Sequence, residues 1–222
     1  MTRSSLGKIG LGLGGIAALT ALAWNYLALP TSTQWTDEEH RLIASLSLNQ
    51  LPRLPADPSN AQADNPDAAE LGHVLYFDTH LSSTGAVACA TCHKPERMFT
   101  DGLKLALGAG IGNRHTPSLV GLSYSPWFYW DGRKDSQWAQ ALAPLEAKHE
   151  HAMTRSDLAR LILSDADYSA RYRSAFGALP SADIPAGASP LGDDIERAKW
   201  DGLPETEQQA INEIFTNIGK AL

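Results

Sequence analysis

The stretch VACATCHKPERMFTDG, from Val87 to Gly102, holds both cysteines of the 222-residue chain, Cys89 and Cys92, with His93 directly after the second. Thiols this close cannot staple distant parts of a fold. A zinc site would need two further ligands at matching spacing, and the sequence has no second C-x-x-C and no H-x₃-H. A thioredoxin-type dithiol stays open as a competing reading, although it expects a surrounding βαβ pattern that the sequence lacks. C-x-x-C-H uses all three residues at once. It is the c-type haem attachment signal, in which two thiols add across the vinyl groups of one haem and the adjacent histidine is held beneath the iron. The reading is therefore one covalent haem c per chain, on Cys89 and Cys92, with His93 as the iron ligand.

The flanking sequence reads as helices separated by long loops. TDEEHRLIASLSL opens with Thr36 and Glu39 at capping-box spacing, which predicts a first short helix. NQLPRLPADPSNAQADNPD carries four prolines and reads as an extended linker or wrapping segment. AAELGHVLYF is a short amphipathic helix, and TDGLKLALGAGIGNRHTPSLV a glycine-rich loop. DSQWAQALAPLEAKHEHAM is mainly helical, with Trp138, Leu142 and Leu145 on one side and Pro144 as an interruption. TRSDLARLIL is a helix capped by Thr154, and LPSADIPAGASPLGDD is loop. PETEQQAINEIFTNIGKAL starts with Pro204 at a first-turn position and has a stripe of Ile211, Ile214, Phe215, Ile218 and Leu222. With no strand run and no internal repeat, the fold class is all-α: a cytochrome c-like haem domain with long loops. The stripe runs to the last residue without a polar cap, and we expect it to cover a second domain or a partner.

Net charge is −7 without a basic stripe, which excludes nucleic acid as a partner. Arg3 and Lys8 precede an apolar run with no acidic residue before Asp37. The run reads as a signal peptide or an N-terminal membrane anchor. "ALA" at Ala21–Ala23 fits a cleavage site, while the 21 residues from Ile9 to Leu29 suffice to span a bilayer with Trp24 and Tyr26 at its interface. Either way the chain is read as exported, to the periplasm, where haem is attached.

LGHVLYFDTHLSSTGAVACATCHKPERMFTDG, then NRHTPSL, then WFYWDGRKDSQWAQALAPLEAKHE resembles the N-terminal half of bacterial di-haem cytochrome c peroxidases and their MauG-type relatives. The resemblance extends through YRSAFGALP to NIGKAL. It implies that His93 is the proximal ligand of a peroxidatic haem, that Gln140, Pro144 and Glu150 line its distal pocket, and that Trp130 of W-D-G-R lies between two haems. Residues 30–66, the short helix and Pro-rich linker, then precede a peroxidatic domain over 67–222, and the family's second haem domain is expected to be lacking. Hydrogen peroxide is then the oxidant, with electrons from a small redox protein, a second haem domain or a partner subunit.

The chemistry agrees. Heterolytic cleavage of peroxide needs one group that takes a proton from one oxygen and returns it to the other, and a carboxylate in a low-dielectric pocket does both. Glu150 is assigned that role, with His149 and His151 read as surface histidines. Arg114 and Arg133 are candidates to pair with haem propionates. Thr100 to Arg114 contains neither the activating histidine of family peroxidases nor a methionine, so the distal iron position is expected to be open. The family's R-N-x-P reads Arg114-His115-Thr116-Pro117 here, which puts calcium in doubt. The rival readings are a MauG-like oxidation of a protein or small-molecule substrate, and a non-enzymatic electron carrier with Met153 as second ligand.

Overall fold

Thr36 caps the first helix of the computed structural model, which describes residues 35–222. The signal or anchor segment lies outside the described residues. Helix α1 (Asp37–Ser45) carries the capping box read from Thr36 and Glu39, both halves of which form. It belongs to a small unit ending at Arg53, and Leu54–Leu222 form a second compact unit. Residues 54–65, read as an extended linker or wrapping segment, are part of that larger unit and wrap against it. Ser59 accepts from the indole of Trp138 (2.9 Å), Asn60 donates to the Lys220 carbonyl (3.2 Å), and Asn65 donates to the Ala175 carbonyl (3.1 Å).

The larger unit continues with α2 (Pro66–Phe77), α3 (Cys89–Cys92), α4 (Gln137–Glu146), α5 (Arg155–Ser164), α6 (Ala166–Phe176), α7 (Asp194–Asp201) and α8 (Glu205–Ala221). Among the described residues there is no strand, only three isolated bridges. None of the helices there is long and apolar enough to cross a membrane. The all-α class is what the structure shows.

The L-G-x-x-L-x-F-D run now has a physical reason. Leu71 and Leu75 are fully buried in the core, and Gly72 lets α8 cross α2 closely: an added Cβ there would lie 1.9 Å from the Ala221 carbonyl oxygen. Asp78 caps α2 and turns the chain, accepting from the His80 N–H (2.9 Å) and from the hydroxyl of Tyr168 on α6. On the other side of α8, Gly219 meets α4, where an added Cβ would stand 2.7 Å from Leu142 Cγ and 2.8 Å from the Trp138 carbonyl oxygen. Glycine on each side of α8 thus brings the helix carrying Gln140 and Pro144 into one core with α2.

That core also corrects the reading of the last helix. Ile211, Ile214, Phe215 and Ile218 pack inside this unit against Leu71, Leu158, Ile162 and Tyr172 rather than awaiting a partner. Pro204 is the residue before α8 rather than its first turn. Pro144 lies inside α4 without ending it, and the helix runs on to Glu146. Two helices had not been read. Asp165 caps α6 by accepting from the Asp167 and Tyr168 N–H groups, and Asp193 with Glu196 makes a capping box for α7.

Candidate haem-binding site

Cys89 and Cys92 occupy α3, a single turn whose end the His93 N–H closes by donating to the Cys89 carbonyl (2.9 Å). The turn leans on α2, because the Tyr76 hydroxyl donates to the His93 carbonyl (2.5 Å). After His93 the chain reverses sharply. Met98 and Phe99 both adopt left-handed conformations (φ 55° and 59°), a strain of about 1–2 kcal/mol per residue. The reversal is locked by the Phe99 N–H donating to the Lys94 carbonyl (2.8 Å). It returns the Phe99 carbonyl to 3.1 Å from His93 Nδ1. With Nδ1–H committed to that carbonyl, Nε2 keeps its lone pair for a metal.

Opposite lies α4 and the segment after it. The chain folds back on the helix end: Glu150 N–H donates to the Ala147 carbonyl (2.9 Å), His151 N–H to Pro144 (3.2 Å) and Met153 N–H to Leu145 (2.9 Å), with Ala152 left-handed at φ 56°. The two walls bound a cleft of about 870 Å³, counting its solvent-open mouth. Cys89, Cys92, His93, Gln140, Pro144 and Glu150 all line it, among the apolar side chains of Val87, Leu119, Leu122, Leu145 and Leu222. Six of the nine sequence-read positions therefore share one cavity, though they come from segments some fifty residues apart.

The other three do not line it. Trp130 is 79 % exposed, carried outward on a tight loop whose ends, Phe128 and Lys134, are bridged and in which Tyr129 and Gly132 are left-handed. The Arg133 guanidinium pairs with Asp131 (2.8 Å) and lies over the Tyr129 ring at 3.5 Å. Arg114 sits 5.5 Å from the Trp130 ring centre. In the Arg114–Pro117 run, Thr116 is buried and donates to Asp101 (2.9 Å), bracing the loop after the haem motif. The methionine of the electron-carrier reading does not line the cleft: Met153 packs against the apolar core.

His151 was misread as a surface residue. It is 4 % exposed and lines the cleft, with Nδ1 2.9 Å from the Leu81 carbonyl and Nε2 3.9 Å from Cys89 Sγ. His149, its neighbour but one, is exposed and 3.5 Å from the Glu150 carboxylate. Tyr76, another lining residue the sequence does not single out, looks there like one more aromatic on an amphipathic helix.

The electrostatics follow from burial. It pushes the Cys89 thiol up to about 12, and raises Cys92 too, where Asp101 adds to it. A reactive dithiol needs the opposite shift, so burial here works against the redox-dithiol reading. Among the described residues no three His, Cys, Asp or Glu groups cluster as a metal site of their own. Burial also raises the Glu150 carboxyl, against the pull of His149 and His93, and keeps His151 low and neutral. Two free thiols and an imidazole with Nε2 available, at the wall of an apolar cleft, fit a covalently attached haem.

Fold and site together define a c-type haem domain of the all-α kind. The model of the di-haem cytochrome c peroxidase family matches residues 66–200, and the chain belongs to that family. It is 39 % identical over 125 residues to the methylamine utilization protein MauG of Methylorubrum extorquens, covering 55 % of this chain and 34 % of that protein. It is 31 % identical over 116 residues to the cytochrome c551 peroxidase of Nitrosomonas europaea, covering 51 % and 35 %. The alignments span about a third of the length of these relatives. Among solved structures, a variant of the diheme peroxidase BthA from Burkholderia thailandensis shares the fold, with a TM-score of 0.52 at 22 % identity over 71 % of this chain and 38 % of that one.

Proposed function

We propose that this chain is the peroxidatic domain of an exported, periplasmic haem c enzyme that reduces hydrogen peroxide, with electrons from a c-type cytochrome or other small redox donor. The observation that carries the reading is the placement of Glu150, with its raised carboxyl, on the same cleft as the C-x-x-C-H histidine. Cys89 and Cys92 hold one haem c and His93 Nε2 ligates its iron. When bound, the haem would supply the redox chemistry. Glu150, as carboxylate, takes the proton of the nearer peroxide oxygen and returns it to the departing one. Gln140 orients peroxide by hydrogen bonding, and Pro144 keeps the cleft above it apolar and short of water. Two electrons and two further protons complete reduction to two waters. Arg114 and Arg133 would pair with the haem propionates, exchanging their present partners for them. Trp130, on the surface, is the port through which electrons enter from a second haem domain or a partner subunit. Calcium has no assigned role.

A second reading keeps the haem and directs its oxidising power at a protein or small-molecule substrate. The exposure of Trp130 and the identity to MauG favour it.

The test is stopped-flow absorbance of the haem-loaded ferric protein mixed with hydrogen peroxide, which needs no donor. A bimolecular rate constant rising linearly with peroxide is expected, followed by turnover when a reduced c-type cytochrome is added. Ferric protein that never reacts with peroxide would remove both enzyme readings. Reaction with peroxide but no oxidation of any cytochrome donor would favour the second.

A further inference from the structure

The turn at Leu107–Ile111 lies between the haem-attachment segment and Glu150, and its hydrogen bonds point outward to the latter. Within the turn, Leu107 and Ile111 form an antiparallel bridge, the Gly108 N–H donates to the Gly110 carbonyl (3.0 Å), and the Gly112 N–H donates to Ala106 (2.8 Å). Two donors then leave it. The Ala109 N–H reaches the Glu150 carbonyl at 2.7 Å, and the Gly110 N–H reaches the His149 carbonyl at 3.1 Å. On the other side Cys92 Sγ stands 3.6 Å from the Leu107 carbonyl. A thioether has no S–H to donate, so in the haem-loaded protein this contact is not a hydrogen bond.

The three glycines of G-x-G-x-G are not equivalent. None is left-handed, so conformational freedom does not explain them. Close approach explains one. A Cβ on Gly108 would lie 2.7 Å from the His149 carbonyl oxygen, 2.8 Å from that of Glu150 and 2.9 Å from Glu150 Cα, all backbone atoms that cannot swing aside. A Cβ on Gly110 would lie 3.4 Å from His149 Cα, and one on Gly112 3.4 Å from the Ala106 carbonyl oxygen, where the neighbour need hardly move.

We infer that the Leu107–Ile111 turn is a clasp fixing the Glu150 backbone, and with it the carboxylate, at the cleft wall, and that Gly108 is its positioning residue. The inference rests on Glu150 being the acid–base of the proposed reaction. The physical ground is that a misplacement of about 1 Å in a reacting group costs on the order of 10²-fold in rate, even when caused by a residue that touches no substrate. Glu150 is held by no helix: it follows α4 on a turn, its N–H donating to the Ala147 carbonyl and its own carbonyl accepting from the Ala109 N–H. Removing the second leaves that carbonyl without its partner and lets the carboxylate shift.

Gly108→Ala and Gly110→Ala in the haem-loaded protein test this. Gly110→Ala should stay within about threefold of wild type in its peroxide rate constant, while Gly108→Ala should fall by roughly 10- to 100-fold. Gly108→Ala/Glu150→Gln should be no slower than Glu150→Gln alone, because the clasp acts only through the carboxylate. The iron–fluoride Raman band of the ferric fluoride adduct, which reports distal hydrogen bonding, should move in Gly108→Ala the way it moves in Glu150→Gln. A Gly108→Ala rate and band equal to wild type, or a multiplicative loss in the double variant, would overturn the clasp. If Gly108→Ala does not fold, hydrogen exchange on the wild-type holoprotein decides: the Ala109 and Gly110 amides should be protected, and exchange at the open-chain rate would overturn it. Should Glu150→Gln react like wild type, the acid–base assignment falls, and the clasp is still judged by the fluoride band and the exchange.

Discussion

Glu150→Gln separates proton transfer from everything else Glu150 does. Its two backbone hydrogen bonds, to Ala147 and from Ala109, do not depend on the side chain and survive the change. Shape and hydrogen-bonding capacity survive as well, and only the exchangeable proton is lost. A positioned acid–base contributes about 10²–10⁴-fold, or roughly 3–6 kcal/mol of barrier at about 1.4 kcal/mol per tenfold. We expect the peroxide rate constant to fall by that factor, with haem content and spectrum unchanged. The pH profile sharpens the test. Glu150 must be ionised to accept the first proton, so the wild-type rate should rise with pH through its carboxyl pKa. Burial raises that pKa, which places the acidic limb above the ordinary carboxylate value of about 4.3. The limb should vanish in Glu150→Gln. In His149→Ala it should move to higher pH, because His149 pulls the carboxyl down from 3.5 Å away.

Stability should follow the opposite course. A carboxyl raised on folding binds its proton more tightly in the folded protein, so its favourable contribution exists at low pH and is lost as pH rises through the folded pKa. Glu150→Gln should therefore be no less stable than wild type at pH 8. The side chain is 43 % exposed, so water screens any gain to a small one. A Gln variant with the wild-type rate, or one that keeps the acidic limb, would refute the assignment of the proton to Glu150.

Cys89→Ala plus Cys92→Ala should abolish haem retention after denaturation and acid extraction, measured by absorbance and intact mass; haem still covalently held would mean the attachment motif was misread. Met153→Leu should leave the electron paramagnetic resonance spectrum of the ferric haem mostly high-spin and unchanged, because Met153 packs with the core; loss of a dominant low-spin signal would restore the electron-carrier reading. Gly219→Ala should destabilise by about 1–3 kcal/mol in thermal or urea unfolding, because its Cβ would be forced into Leu142 and the Trp138 carbonyl. Gly85→Ala, left-handed but with nothing within 4 Å, should cost only about 1 kcal/mol of backbone strain. His151→Ala should cost about 1–3 kcal/mol by leaving the Leu81 carbonyl without its buried donor.

How much of this was legible depended on whether a feature is local in the chain. The C-x-x-C-H turn and the caps at Thr36 and Thr154 announce themselves in four or five residues, and all form as read. Helices α6 and α7 carried equally local signals at Asp165 and Asp193, but their apolar positions are spaced among many charges, and the caps alone had not been enough. The stripe on α8 was legible as buried, but not what buries it. That answer lies in Gly72 and Gly219, whose meaning appears only when α2 and α4 are seen touching α8.

His151 shows the limit most clearly. Three residues in a row, His149, Glu150 and His151, look alike to any periodicity, and a helix continuing past Glu146 would have spread them around its surface. Instead the helix stops, and a left-handed Ala152 turns the chain back so that Met153 can bond to Leu145. That reversal drives one histidine inward beside Cys89, leaves the other in water, and sets Glu150 between them at the rim. The site's chemistry thus rests on loop backbone held from outside: by the fold-back onto α4, and by the Leu107–Ile111 turn on its other side. If Glu150 carries the proton as proposed, a carboxylate placed this way is open to adjustment by changes far from any reacting atom. Substitutions in the glycine-rich turn should therefore tune the peroxide reaction more than comparable substitutions on the exposed faces of α5 or α6, which support the core and contribute no residue to the cleft lining.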